Sequence, residues 1–124
     1  MTTLKRAKVV LCIGNDLVNL NLRCSHLERH GWCVVSSGNG FDGVMRFSRE
    51  LVAAVVLDLD EDGAEAALIA AELKRLRPQV PVVMVIADRG RLTPGATAQA
   101  DALVMKAEEA VALHQTLRAV LRAI

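Results

Sequence analysis

Val55-Val56-Leu57-Asp58-Leu59-Asp60 is an apolar run that stops at a carboxylate, with a second carboxylate two residues on. A run of this kind is a strand buried on both faces, and several more lie between helical patterns along the chain, which predicts a parallel α/β sheet. In such sheets the carboxyl ends of the strands carry the chemistry. Leu103-Val104-Met105 ends at Lys106 in the same manner. An acid and a lysine at neighbouring strand ends make Asp58 and Lys106 the first candidate site residues.

Upstream, Lys8–Ile13 reads as a first strand, and Gly14-Asn15-Asp16 as a turn into a helix with Leu17, Leu20, Cys24 and Leu27 at helical spacing and Gly31 as its stop. Trp32–Ser36 is a second strand, and Gly38-Asn39-Gly40 a turn before a helix carrying Phe41, Val44, Met45 and Phe47. Ala53–Leu57 is the third strand, followed by an acidic loop and a helix from Ala64 to Arg77 that Pro78 ends. Val82–Ile86 is the fourth strand, Ala96–Ala100 at best a short helix, and Leu103–Met105 the fifth strand. Ala107–Ile124 is a closing amphipathic helix with Val111, Leu113, Leu117, Val120 and Leu121 on its apolar side. Five strands alternating with five helices predict a flavodoxin-like doubly wound sheet in the order 2-1-3-4-5.

With 124 residues, 52% of them apolar, the chain is expected to form one domain over residues 1–124, ordered from about residue 8, with no output domain. A formal charge of +1 gives no electrostatic reason to expect nucleic acid or a membrane surface as partner. No run approaches membrane-spanning length and the basic start Met1–Arg6 lacks a signal-peptide core, so the expected location is the cytoplasm. Cys12, Cys24 and Cys33 lie inside predicted elements and suit reduced thiols. The acidic run Asp60-Glu61-Asp62 and the basic residues Lys74, Arg75, Arg77, Arg89 and Arg91 read as solvated charge.

The ordered landmarks Leu27…His30-Gly31-Trp32, Val56-Leu57-Asp58, Gly63, Pro81-Val82-Val83-Met84-Val85 and Ala100-Asp101-Ala102…Lys106 resemble the receiver domain of two-component response regulators, from about Lys8 onward. The resemblance implies that Asp58 is the phosphoacceptor for a sensor histidine kinase and that Lys106 pairs with the phosphoryl oxygens. It also implies a Mg²⁺ ion held by the phosphoacceptor, by an acidic pair after strand 1 and by the backbone carbonyl of Asp60. The chain departs from that pattern. The acidic pair falls on Gly14 and Asn15, with Asp16 one position late, so Mg²⁺ is expected to bind weakly at most, through Asp16, Asp58 and the Asp60 carbonyl. The switch hydroxyl falls on Ile86, and its aromatic partner on Leu103.

Two functions follow. One is an atypical stand-alone receiver in phosphorelay signalling, acting by protein–protein contact with Asp58 as acceptor. The alternative is a phosphorylation-independent pseudo-receiver held by an Asp58–Lys106 bridge. A third, lesser reading is a small-ligand or cofactor-binding flavodoxin-like protein, for which a phosphate-cradling loop and flanking aromatics are missing. No enzymatic activity is expected. The partner is a histidine kinase or another signalling protein, with a homodimer through strand 5 and the closing helix as a further expectation.

Overall fold

The structure is a computed structural model that describes residues 8–122; Met1–Arg6 and the last two residues of the predicted closing helix lie outside them. Its strands are β1 (Val9–Gly14), β2 (Cys33–Ser37), β3 (Ala54–Asp58), β4 (Val82–Ile86) and β5 (Ala102–Met105). All pair in parallel in the order β2-β1-β3-β4-β5, the arrangement the sequence predicts. The helices are α1 (Leu17–Arg29), α2 (Gly40–Arg49), α3 (Ala64–Leu76) and α4 (Glu109–Arg122).

The expected fifth helix is absent among the described residues. Between β4 and β5 the chain makes a 3-10 turn at Arg89–Arg91 and then successive three-residue turns, Ala96 N to Thr93 O, Ala98 N to Gly95 O and Ala100 N to Thr97 O. Pro94 and Gly95 explain this: proline donates no backbone hydrogen bond, and Gly95 sits at φ +79° in the left-handed region that ends helices. A second 3-10 turn, Lys106–Glu108, links β5 to α4, so the closing helix begins two residues later than its apolar pattern suggests.

Alternation along the strands divides the core into two layers. Leu11, Ile13, Val55, Leu57, Val82, Met84 and Ile86 face α2 and α3, where Phe47, Ala70 and Leu73 complete the packing. Val10, Cys12, Val56, Val83, Val85 and Val104 face α1 and α4, against Leu20, Leu27, Leu113 and Leu117. Asp58 continues the second of these rows and projects toward α1 and α4.

Four apolar residues placed on helical stripes prove exposed: Leu17 (62%), Phe41 (74%), Met45 (37%) and Val111 (73%). In α2 the reason is visible. Gly40 and Gly43 are buried, and a Cβ at Gly43 would run into the side chain of Ile13, so the glycine face lies on the sheet and turns Phe41 outward. The acidic loop is not idle charge either. Asp60 accepts from the Glu65 and Ala66 amides at 2.9 and 3.2 Å, and Asp62 from Ala64 at 3.0 Å, which caps α3 because its N-cap residue is Gly63. Arg75 pairs with Glu72, and Arg91 with Glu61. Lys74 reaches Asp101 and the Val80 carbonyl.

At the amino-terminal edge of the sheet, Trp32 Nε1 donates to His114 Nδ1 at 2.8 Å, which keeps His114 neutral with its proton on Nε2. His30 stacks on His114 at 4.2 Å, His26 lies 4.7 Å from His30, and Arg118 is on the same helix as His114. Burial lowers the His114 pKa below its usual 6.5, and the positive charge of His30, Arg118 and His26 adds to the effect. A base with a depressed folded-state pKa leaves the folded chain carrying fewer protons than the unfolded one below pH 6.5. His114 therefore contributes stability in full above that pH, and the contribution falls away as acid is added. The fluorescence of Trp32, the one tryptophan in the chain, is expected to change over a transition below pH 6.5, with a lower urea midpoint on the acid side. His114→Gln should remove the transition; its persistence in that variant would refute the assignment.

Candidate functional site

Asp58 ends β3 beside Gly14, the last residue of β1, and Lys106 follows β5. Lys106 Nζ lies 3.1 Å from Asp58 Oδ2 and 3.4 Å from Oδ1, so the two residues picked from the strand ends do meet. They are not alone. Arg23 of α1 places Nη2 at 2.8 Å from Asp58 Oδ2, closer than the lysine. The same guanidinium grips Glu109, Nε to Oε2 at 2.5 Å and Nη2 to Oε1 at 2.9 Å, the two-pronged geometry in which arginine binds a carboxylate best.

Arg23 is 3% exposed, an unusual burial for an arginine, and it stands on the helical face between Leu20 and Leu27. Burial opposes its charge, but the hydrogen bonds and charge of Glu109, then those of Asp58, outweigh burial and hold the guanidinium pKa above its ordinary value. Glu109 opens α4, where the helix dipole favours a carboxylate. Two acids and two bases thus form a neutral cluster spanning α1, β3, the β5–α4 junction and α4. Sequence reading missed Arg23 and Glu109. Arg23 had a signal, since it lies three residues after Leu20 and four before Leu27, on the core stripe itself.

A cleft of about 190 Å³ reaches Asp58 and is lined also by Asn15, Asp16, Asp60, Val85 and Lys106. Asp16 is an exposed N-cap whose carboxylate accepts from the Asn19 amide and side chain, both at 3.2 Å. Gly14 brings no side chain, and Asn15 brings a neutral one. This donor set does not suit a hard divalent cation: Asp58 already carries two cations and the Asp16 carboxylate caps α1, which leaves the Asp60 backbone carbonyl as a neutral oxygen that does not hold such an ion alone. Ile86 is buried in the α2/α3 layer with Leu103 packed against it, while Val85 and Ala87 stand in the cleft wall. Neither Ile86 nor Leu103 has a group that hydrogen-bonds a phosphoryl oxygen.

A five-stranded parallel sheet in the order β2-β1-β3-β4-β5 is the fold of solved CheY-like receiver domains. Solved receiver domains share this fold. A receiver domain protein from Methanospirillum hungatei superimposes with a TM-score of 0.83 at 22% identity, over 95% of this chain and 96% of that one. The response regulator TrrA of Thermotoga maritima, solved with Mg²⁺ and BeF, does so with a TM-score of 0.82 at 18% identity, over 91% of this chain and 98% of that one. TrrA has also been solved with the histidine kinase ThkA. In sequence, the transcriptional regulatory protein GlrR of Escherichia coli is 30% identical over 78 residues, which are 63% of this chain and 18% of that protein. The chain thus matches less than a fifth of the length of that relative. No protein-family model matches. Among the described residues, no helix is long and apolar enough to cross a membrane.

Proposed function

We propose that this chain is a receiver domain that signals through contact with another protein and is not switched by phosphate. The observation that carries the reading is the state of Asp58, whose Oδ2 is held by Arg23 at 2.8 Å and Lys106 at 3.1 Å. Both cations are side chains of this chain, and neither does the work of a divalent ion that would gather the phosphoryl oxygens and neutralise the charge building up as a carboxylate attacks phosphorus. The transmission parts point the same way: Ile86 and Leu103 fill the core where a switching hydroxyl and a swinging aromatic would act. As a contact module the chain catalyses no reaction. A sensor histidine kinase or another signalling protein is the partner class, for which the TrrA–ThkA complex is the supporting parallel.

One observation favours the second reading, Asp58 as phosphoacceptor: the cleft reaches Asp58, and Oδ1 has only the 3.4 Å contact with Lys106. Acetyl phosphate with Mg²⁺, followed by intact mass, separates the two. The favoured reading expects no adduct, whereas an adduct lost in Asp58→Asn would establish the second. Asp58→Asn is also expected to cost about 1–3 kcal/mol, since Lys106 loses its partner while Arg23 keeps Glu109. Under the favoured reading the folded variant still binds its partner.

A further inference from the structure

Gly14 pairs with Asp58 across β1 and β3 and stands at one of the two positions where the receiver resemblance calls for metal-binding acids. A Cβ built on Gly14 would lie 3.2 Å from the Asp58 carbonyl oxygen and 3.6 Å from Arg23 Nη1. A side chain at position 14 would therefore project toward the guanidinium, which at the same time holds Asp58. The positive charge sits between the ends of β1 and β3, the place where a cation shared by Asp58 and an acid at 14 would have to be.

We infer that the Arg23 guanidinium is a resident cation standing in for the divalent ion of a receiver site, fixed there by Glu109 and excluding a metal from Asp58. Charge supports the assignment. A divalent cation needs free carboxylate charge, whereas Asp58 and Glu109 are balanced here by Arg23 and Lys106, and the carboxylates of Asp16 and Asp60 in the same cleft accept from helix amides. The two-pronged grip of Glu109 and the burial of Arg23 keep the guanidinium from moving aside. The inference deepens the phosphate-insensitive reading of Asp58 and rests on it for its consequence in signalling.

The test is a Mg²⁺ titration of the wild-type chain, of Gly14→Asp and of Gly14→Asp/Arg23→Gln, followed by amide NMR at residues 14 and 58 and by thermal melting. Wild type and Gly14→Asp are expected to show no saturable response, the new carboxylate pairing with Arg23 instead. The double variant is expected to gain saturable shifts at both positions and a melting point that rises with Mg²⁺. Saturable shifts at Asp58 in either chain that keeps Arg23, or a folded double variant blind to Mg²⁺, would overturn the inference. If the double variant does not fold, Gly14→Asp decides: a response to Mg²⁺ there overturns the inference, and silence upholds it. Acetyl phosphate given to the wild type in chelator separates this inference from the functional reading. An adduct formed without metal would defeat phosphate insensitivity and leave the resident cation standing; an adduct that requires Mg²⁺ would defeat both.

Discussion

Arg23→Ala is expected to lower the stability of the fold by about 3–5 kcal/mol, the usual cost of removing one partner from a buried ion-pair network. The side chain is 2% exposed, and its loss leaves Asp58 at 14% and Glu109 at 17% exposure without their shared cation. Lys106 still reaches Asp58, which moderates the loss on that side, but Glu109 has no other hydrogen-bonded cation among the described residues. The alanine also deletes the apolar stem that bridges Leu20 and Leu27 on the inner face of α1. Arg23→Met restores much of the volume and separates the two contributions: it should recover the packing part and leave the electrostatic part lost. Urea unfolding of the three chains reads both. A loss below about 1 kcal/mol for Arg23→Ala would mean that the network does not hold the site together.

Phe47→Ala is expected to cost a similar amount, about 3–5 kcal/mol, by a different route. Phe47 is fully buried on α2, in the layer that also holds Ile13, Leu57 and Leu73, and the Arg77 guanidinium lies 4.1 Å from its ring centroid. The substitution opens a cavity that α2 cannot collapse into easily, because Gly43 already brings the helix down onto Ile13. Loss of the cation–π contact adds about 0.5–1 kcal/mol. Phe47 and Asp58 lie on opposite faces of the sheet. Phe47→Ala should therefore weaken the fold while leaving the amide shifts of Arg23, Asp58 and Lys106 in place, and Arg23→Ala should alter both. Equal disturbance of the site by the two variants would contradict the division into two layers.

Short apolar runs punctuated by Gly, Pro, Ser or a charge made the sheet and its order legible in the sequence, and with them the meeting of Asp58 and Lys106. What escaped has physical reasons. Arg23 lies on the core stripe of α1, but charge argues for the surface, and only partners 35 and 86 residues away make its burial tolerable. The exposure of Phe41 follows from a glycine face that a count of apolar residues cannot see. The acids after β3 read as solvated charge because their work is capping, which depends on Gly63 being an N-cap without a side chain. The missing helix before β5 was foreshadowed by Pro94 and Gly95, whose breaking power outweighs the alanines that follow.

In the proposed reading Asp58 is permanently engaged by Arg23 and Lys106 and does not respond to a phosphoryl group. The most direct test of this reading is the amide NMR spectrum of the wild-type chain with and without beryllofluoride in millimolar Mg²⁺. Superimposable spectra are expected at Asp58, Ile86, Leu103 and Lys106. Saturable shifts clustered at those four positions would contradict it and make Asp58 a working phosphoacceptor.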